Sequence, residues 1–343
     1  MNPGVADGLR LRVLAVFAIL AVVITLTLQS WVGPASIYAP EREAKRAQLH
    51  EAILTNTPPA AGWAAIGAAA LNIRVTAVYA AEAVHRSTGL SVGRAYWVLD
   101  SVFLFLLLAA LPLYLRYWLP DTWCLIGVLY LAAVLPLTYF LHAYQPWDRM
   151  SLAAWLVLLV LVRDQRPWLT ALVLAISITI KFDTILIPIL YALVHLERKS
   201  WVRTALACTG IALAGYAALT LLKTAFPAPA EPARFSWAVA TSQLHLNVHD
   251  MATHHLRHPV LLAVGPLVLL ALIGIRHRPR FMVAGVTFGA VLSGVWGIFT
   301  VYAEVRAQLA LLLLLLPPAL MTLQSWLEPS TSPARRPSSS REP

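Results

Sequence analysis

The sequence predicts an all-α integral membrane protein of about ten transmembrane helices, with interfacial helices in its first outer loop. Three observations carry this prediction. Hydrophobic residues make up 59% of the 343 and charged residues 12%, whereas soluble domains carry about 25% charged residues. Leu- and Ala-rich runs long enough to cross a hydrocarbon core, about 20 residues, recur along nearly the whole chain. The basic residues fall in small groups between those runs, as orientation signals do. They form no stripe, so the net charge of +10 does not point to nucleic acid as a partner. No stretch is left for a separate soluble catalytic domain.

The elements follow in order. Arg10 and Arg12 precede an apolar run over 11–32, too long for a signal peptide's hydrophobic region and without a small-residue cleavage pattern before Gly33 and Pro34. It reads as a retained first span. Further spans are predicted at 95–115, 121–141, 150–163, 168–180, 183–197, 203–225, 259–275, 281–300 and 306–325. Alternate connections hold Arg116; Arg163 and Arg166; Arg198, Lys199 and Arg203; Arg276, Arg278 and Arg280; and Arg335 with Arg336 follows the last span. The positive-inside rule places these groups and both termini in the cytoplasm. Residues 1–326 then form one polytopic domain and 327–343, rich in Pro and Ser, a disordered cytoplasmic tail. Cys124 and Cys208 sit in apolar runs as packing residues, with no metal-ligand neighbours.

Every other connection faces outward. The first, 33–94, contains "APEREAKRAQLHEAILTN", whose acidic first turn and amphipathic spacing predict a helix lying along the membrane. The following stretch, with Arg74 and Glu82, predicts a second interfacial or re-entrant helix, because counting it as a span inverts the charge parity downstream. The second long outer loop is 226–258. Between basic clusters, Pro167 to Glu197 must go out and come back. Two helices of 13–15 residues, at 1.5 Å per residue, reach only about 20 Å, short of a core near 30 Å. "TIKFDTILIP" therefore puts Lys181 and Asp183 at the tip of a short hairpin, below the membrane surface.

The unusual polar residues gather on this outer side: Glu41, Glu43, Arg74, Asp148, Lys181, Asp183, Asn247, Glu304 and Arg306. Cations there can hold a lipid-borne phosphate, best as a bidentate Arg fork, and a carboxylate can accept a proton from an attacking hydroxyl. The histidines of "LHLNVHDMATHHLRHP" (His245, His249, His254, His255 and His258) lie beside Asp250 but carry no HExxH-type signature, and no dedicated metal site is predicted.

Taken together, "EREAKRAQLHEAIL", "LNIRVTAVYAAEAV", "QPWDRMSLAAWLVLLVLVR", "ITIKFDTILIPILYAL" and "AEVRAQLALLLLLLP" resemble the bacterial polytopic proteins of the GT-C glycosyltransferase superfamily, in particular small members associated with surface polysaccharides. The resemblance is one of layout over residues 10–325. It implies an inner-membrane, inverting glycosyltransferase with a periplasmic active site, a polyprenyl-phosphate-linked sugar as donor, and a glycan or lipid as acceptor. It implies Glu43 or Glu41 as catalytic base and Arg306, helped by Lys181, as the phosphate ligand. Asp183, Arg74, Asp148, Glu304 and Asn247 complete the implied substrate-binding set. The family leaves room for a divalent cation. "KFDT" departs from the relatives' Arg-Glu-Thr-like step, and "ERE" lacks the Asp-Glu dipeptide of better-known members. Two other readings stand beside it: a polysaccharide polymerase or ligase of another membrane fold, and a transporter of lipid-linked glycans.

Overall fold

The computed structural model describes residues 3–32, 47–48, 50–56, 74–139, 145, 147–197, 200–226, 237–254, 261, 263–299 and 308–328. Among these the chain is entirely helical. The elements are α1 (Pro3–Val32), α2 (Val75–Thr88), α3 (Val92–Leu115), α4 (Asp121–Val134, continued by a 3-10 turn Leu135–Tyr139), α5 (Asp148–Arg163), α6 (Pro167–Ile178), α7 (Ile187–His195), α8 (Trp201–Ala225), α9 (Trp237–His254), α10 (Gly265–Leu272), α11 (Arg280–Phe299) and α12 (Leu309–Leu327). Among the described residues, four helices are long and apolar enough to cross a membrane: Val92–Leu115, Trp201–Ala225, Arg280–Ile298 and Leu309–Leu327. Leu206, Leu213 and Leu221 on α8 are 60–70% exposed. An apolar face of this kind is what a lipid-facing helix presents and a water-facing one avoids.

The bundle is built around α12, whose residues Leu309 to Leu320 are buried on every side. It packs against α10, α11, α4 and α5. At Gly127 a Cβ would lie 2.5 Å from Leu115 Cδ1 and 2.9 Å from Leu320 Cδ1. The missing side chain is what lets α4 approach α3 and α12 so closely, as small residues do at helix contacts in lipid. On the other flank α6 lies along α8, and α7 packs on α8 and α11.

The short hairpin forms as its length requires. Pro167 opens α6, which runs for 12 residues, about 18 Å at the helical rise. The chain turns through Thr179–Lys181, enters a 3-10 turn at Phe182–Leu186 and returns as the nine-residue α7.

Two segments add detail to the sequence reading. The loop 226–258 contains an 18-residue helix, α9, which packs on α11. Its polar and histidine-rich composition hides it from hydropathy, and packing on α11 supplies the stability. Within the span expected over 259–275, α10 covers Gly265–Leu272, and Gly274, at φ 71, turns the chain into a 3-10 turn at Ile275–His277. A left-handed residue just past the helix terminates it. At the start, α1 extends the expected 11–32 back to Pro3.

The basic connections meet at one end of the bundle. Arg116 pairs with Asp121 at 2.9 Å, Tyr117 donates to Asp164, and Arg163 lies 3.1 Å over the Tyr117 ring. Arg280 pairs with Glu197 at 3.2 Å, Arg278 donates to Thr322, and Trp123 donates to Glu328. This shared end is the structural counterpart of the alternating charge pattern.

Candidate functional site

The opposite end holds a buried cluster of charges. It begins at the hairpin tip, where Ile180 and Lys181 both donate backbone N–H to the Ser177 carbonyl, at 2.9 and 2.8 Å. Lys181 itself is extended, at φ −160 and ψ 129. The Thr184 hydroxyl donates back to the Lys181 carbonyl at 3.3 Å and closes the turn. This local bonding supplies the polar partners that a buried reversal needs.

Lys181 is only 9% exposed. Its Nζ lies 3.3 Å from Asp148 Oδ1, at the start of α5, and 3.6 Å from Asp183 Oδ2. The ammonium therefore bridges the hairpin tip to a second helix. One residue further on, the fully buried Arg149 pairs with Asp100 of α3 and donates to Gln29 near the end of α1. Arg74, just ahead of α2, stacks its guanidinium 4.4 Å over the Trp147 ring. The Thr76 backbone N–H donates to the Thr179 carbonyl at 3.2 Å, and the two threonine hydroxyls are bonded to each other, so α2 starts on the hairpin tip.

Three cations, Arg74, Arg149 and Lys181, thus face three carboxylates, Asp100, Asp148 and Asp183. Burial of that many charges is tolerable only because they compensate one another. Compensation is incomplete at the level of single atoms. Asp148 Oδ2, Asp183 Oδ1 and the indole N–H of Trp147 are buried without a hydrogen-bond partner among the described residues. Trp155 is a neighbour of Asp183, yet its indole N–H also falls outside hydrogen-bond geometry. Buried polar atoms left open in this way call for an explanation, and a role at a site is one.

Residues 50–54, between α1 and α2, cover the cluster. Ile53, 2% exposed, packs with Ala77, Val78, Trp147, Met150 and Ile180. His50 is held on both ring nitrogens, Nδ1 at 3.0 Å from the Tyr96 hydroxyl and Nε2 at 2.9 Å from Glu82 Oε2. Hydrogen bonds from His50 first, and from Arg86, hold the Glu82 carboxyl below its usual 4.5. A carboxyl depressed by folding stabilises the folded arrangement above its unfolded pKa and loses that contribution as pH falls through the folded value. Residues 50–56 should therefore loosen below pH 4.5. Amide hydrogen exchange of this segment between about pH 7 and pH 3 measures it, and Glu82→Gln should exchange fast already at neutral pH with a flattened profile.

Of the residues singled out from sequence, the structure brings together Arg74, Asp148, Lys181 and Asp183. Asn247 has another position: its side-chain amide donates to the Gly297 carbonyl at 2.7 Å and accepts from Gln243 at 3.2 Å, clasping α9 to α11. Glu41, Glu43, Glu304 and Arg306 lie outside the described residues, as do His255 and His258. His245 and His249 are exposed on α9, and among the described residues no three His, Cys, Asp or Glu side chains converge as metal ligands do. Sequence reasoning missed Asp100, Gln29 and His50, used Glu82 only to place an interfacial helix, and gave Arg149, inside "QPWDRM", no role of its own. Asp100 carried a usable signal, a lone acid inside the apolar run of α3, the same anomaly that singles out Lys181.

Compared with protein-family models, curated proteins and solved structures, the chain finds no match among any of the three.

Proposed function

We propose that the protein is an inverting glycosyltransferase of the bacterial inner membrane, with about ten spans and both termini in the cytoplasm. It moves a sugar from a polyprenyl-phosphate carrier to a glycan or lipid acceptor on the periplasmic side. One observation supports this reading above the others: the charge-compensated cluster of Arg74, Asp148, Lys181 and Asp183, buried at the end opposite the basic connections, with carboxylate and indole atoms open.

In this reading the lipid phosphate enters beside Lys181. The contacts of Lys181 with Asp148 and Asp183, at 3.3 and 3.6 Å, are longer than the 2.7–2.9 Å or so of a tight charge-assisted bond. Those two contacts leave room for a phosphate oxygen to compete for the ammonium. Arg306 is the second phosphate ligand. Glu43 or Glu41 takes the proton of the acceptor hydroxyl. The hydroxyl oxygen bonds to the anomeric carbon, the bond from that carbon to the phosphate oxygen breaks, and the electron pair leaves with the polyprenyl phosphate, stabilised by the cations. Glu43 stands seven residues before His50, a stretch that spans at most about 25 Å, within reach of the cluster. A divalent cation does not fit between Asp148 and Asp183, because the Lys181 ammonium already lies between their carboxylates.

A transporter reading has one observation in its favour. The α6–α7 hairpin is built of short helices and carries its charges at the tip, as discontinuous helices do in transporters. Native mass spectrometry of the purified protein with undecaprenyl phosphate, in competition with excess phosphatidylglycerol, tests the first reading. The wild type should retain the carrier lipid, and Arg306→Ala should weaken it by about 10- to 100-fold, as loss of a charge-assisted contact does. Equal retention by both proteins removes Arg306 from the site, and no preference over phosphatidylglycerol overturns the carrier-lipid reading.

A further inference from the structure

We infer that the basic end of the bundle carries a second, separate lipid site, a cleft between α6 and α8 that takes an anionic phospholipid. The two helices are in close contact at Gly215, where a Cβ would lie 3.2 Å from both Ile178 and Leu174. Nearer the basic end, Gly210 lines a cavity and has open space around it, where an added Cβ would meet nothing within 4 Å. The cavity, of about 490 Å³, lies between α6, α7 and α8, with Tyr191 and His195 of α7 also in its wall, and falls within the roughly 300–1,000 Å³ of small-molecule sites.

The walls are zoned along their length. Ala171, Ala207, Gly210 and Ile211 line the deeper part, small and apolar enough to admit an acyl chain. Gln165, Ser200 and Arg203 line the mouth. The carboxylate of Glu197, also at the mouth, is paired with Arg280 at 3.2 Å, so Arg203 gives the mouth its net positive charge. Arg198 and Lys199 adjoin it in sequence. Trp168, 84% exposed, and Trp201, 59% exposed, stand at the start of α6 and α8, the level at which interfacial tryptophans meet lipid headgroups. A cationic mouth at headgroup level over an apolar cleft matches one phosphate with an acyl chain beneath it, and basic clefts between helices on the cytoplasmic side suit anionic headgroups. The chemistry is that of a phosphate monoanion, and the apolar depth commits it to a lipid rather than a free phosphate.

The test is native mass spectrometry of the full chain in detergent with phosphatidylglycerol or phosphatidylcholine of the same acyl chains. The wild type should retain one phosphatidylglycerol in preference to phosphatidylcholine. Gly210→Leu, which fills the cleft, should lose it. Arg203→Gln, at an exposed position that leaves folding alone, should reduce the preference roughly fivefold. Gly294→Leu, at another glycine with open space around it, should bind as the wild type does. Unchanged retention by both Gly210→Leu and Arg203→Gln overturns the proposal. So does displacement of the lipid by equimolar glycerol 3-phosphate, which marks a free-anion site. The site lies at the end opposite the charge cluster, so its failure leaves the transferase reading untouched.

Discussion

Arg149→Leu should destabilise the protein by about 3–5 kcal/mol, the cost of removing one partner from a buried ion pair. Set against the 5–15 kcal/mol or so by which domains are usually stable, that is a large share for one residue. The reason is what stays behind. Asp100 is 2% exposed and loses its guanidinium, and Gln29, also buried, loses the donor to its side-chain carbonyl. A buried carboxylate that loses its charged partner is costly to keep ionised. The double variant Asp100→Leu/Arg149→Leu should regain most of the loss, because well-packed apolar residues often replace a buried pair at little cost. Thermal unfolding of the purified proteins in detergent measures both. A double variant melting no higher than Arg149→Leu would show that the pair is not the source of the effect.

Lys181→Met should have a second large effect, with separable structural and functional parts. It leaves Asp148 and Asp183 buried as two like charges around an absent cation, and again about 3–5 kcal/mol is expected to be lost. Lys181→Met/Asp183→Asn removes one of those charges and should restore most of the thermal stability. If Lys181 holds the lipid phosphate, the double variant should still fail to retain undecaprenyl phosphate. A stable double variant that keeps the carrier at wild-type strength would assign Lys181 to the architecture alone. The comparison separates the two roles because Asp183→Asn keeps the shape of the carboxyl and drops only its charge.

The two residues differ in how well the sequence announces them. Lys181 stands out because charged side chains are rare in apolar runs and the return path between two basic clusters places it at a tip. Arg149 reads as an ordinary flanking residue of Asp148. Its importance comes from Asp100 and Gln29, 49 and 120 positions away, and nothing in local spacing ties those three together. Asn247 is the reverse case: a lone amide in an outer segment reads as a ligand, and the structure uses it to clasp α9 to α11.

The helical membrane class, the order of the apolar elements, the shared end of the basic connections and the short hairpin with Lys181 and Asp183 at its tip are all legible in the sequence. They follow from a one-dimensional constraint: lipid demands apolar length and internally bonded backbone, and both are written residue by residue. Three-dimensional packing was needed to settle which charge meets which, that residues 50–54 close over the cluster through Ile53 and His50, that α9 exists as a helix, and that α6 and α8 meet closely at Gly215. Those outcomes depend on distances of a few ångströms between elements far apart in the chain, set by how side-chain volumes interlock.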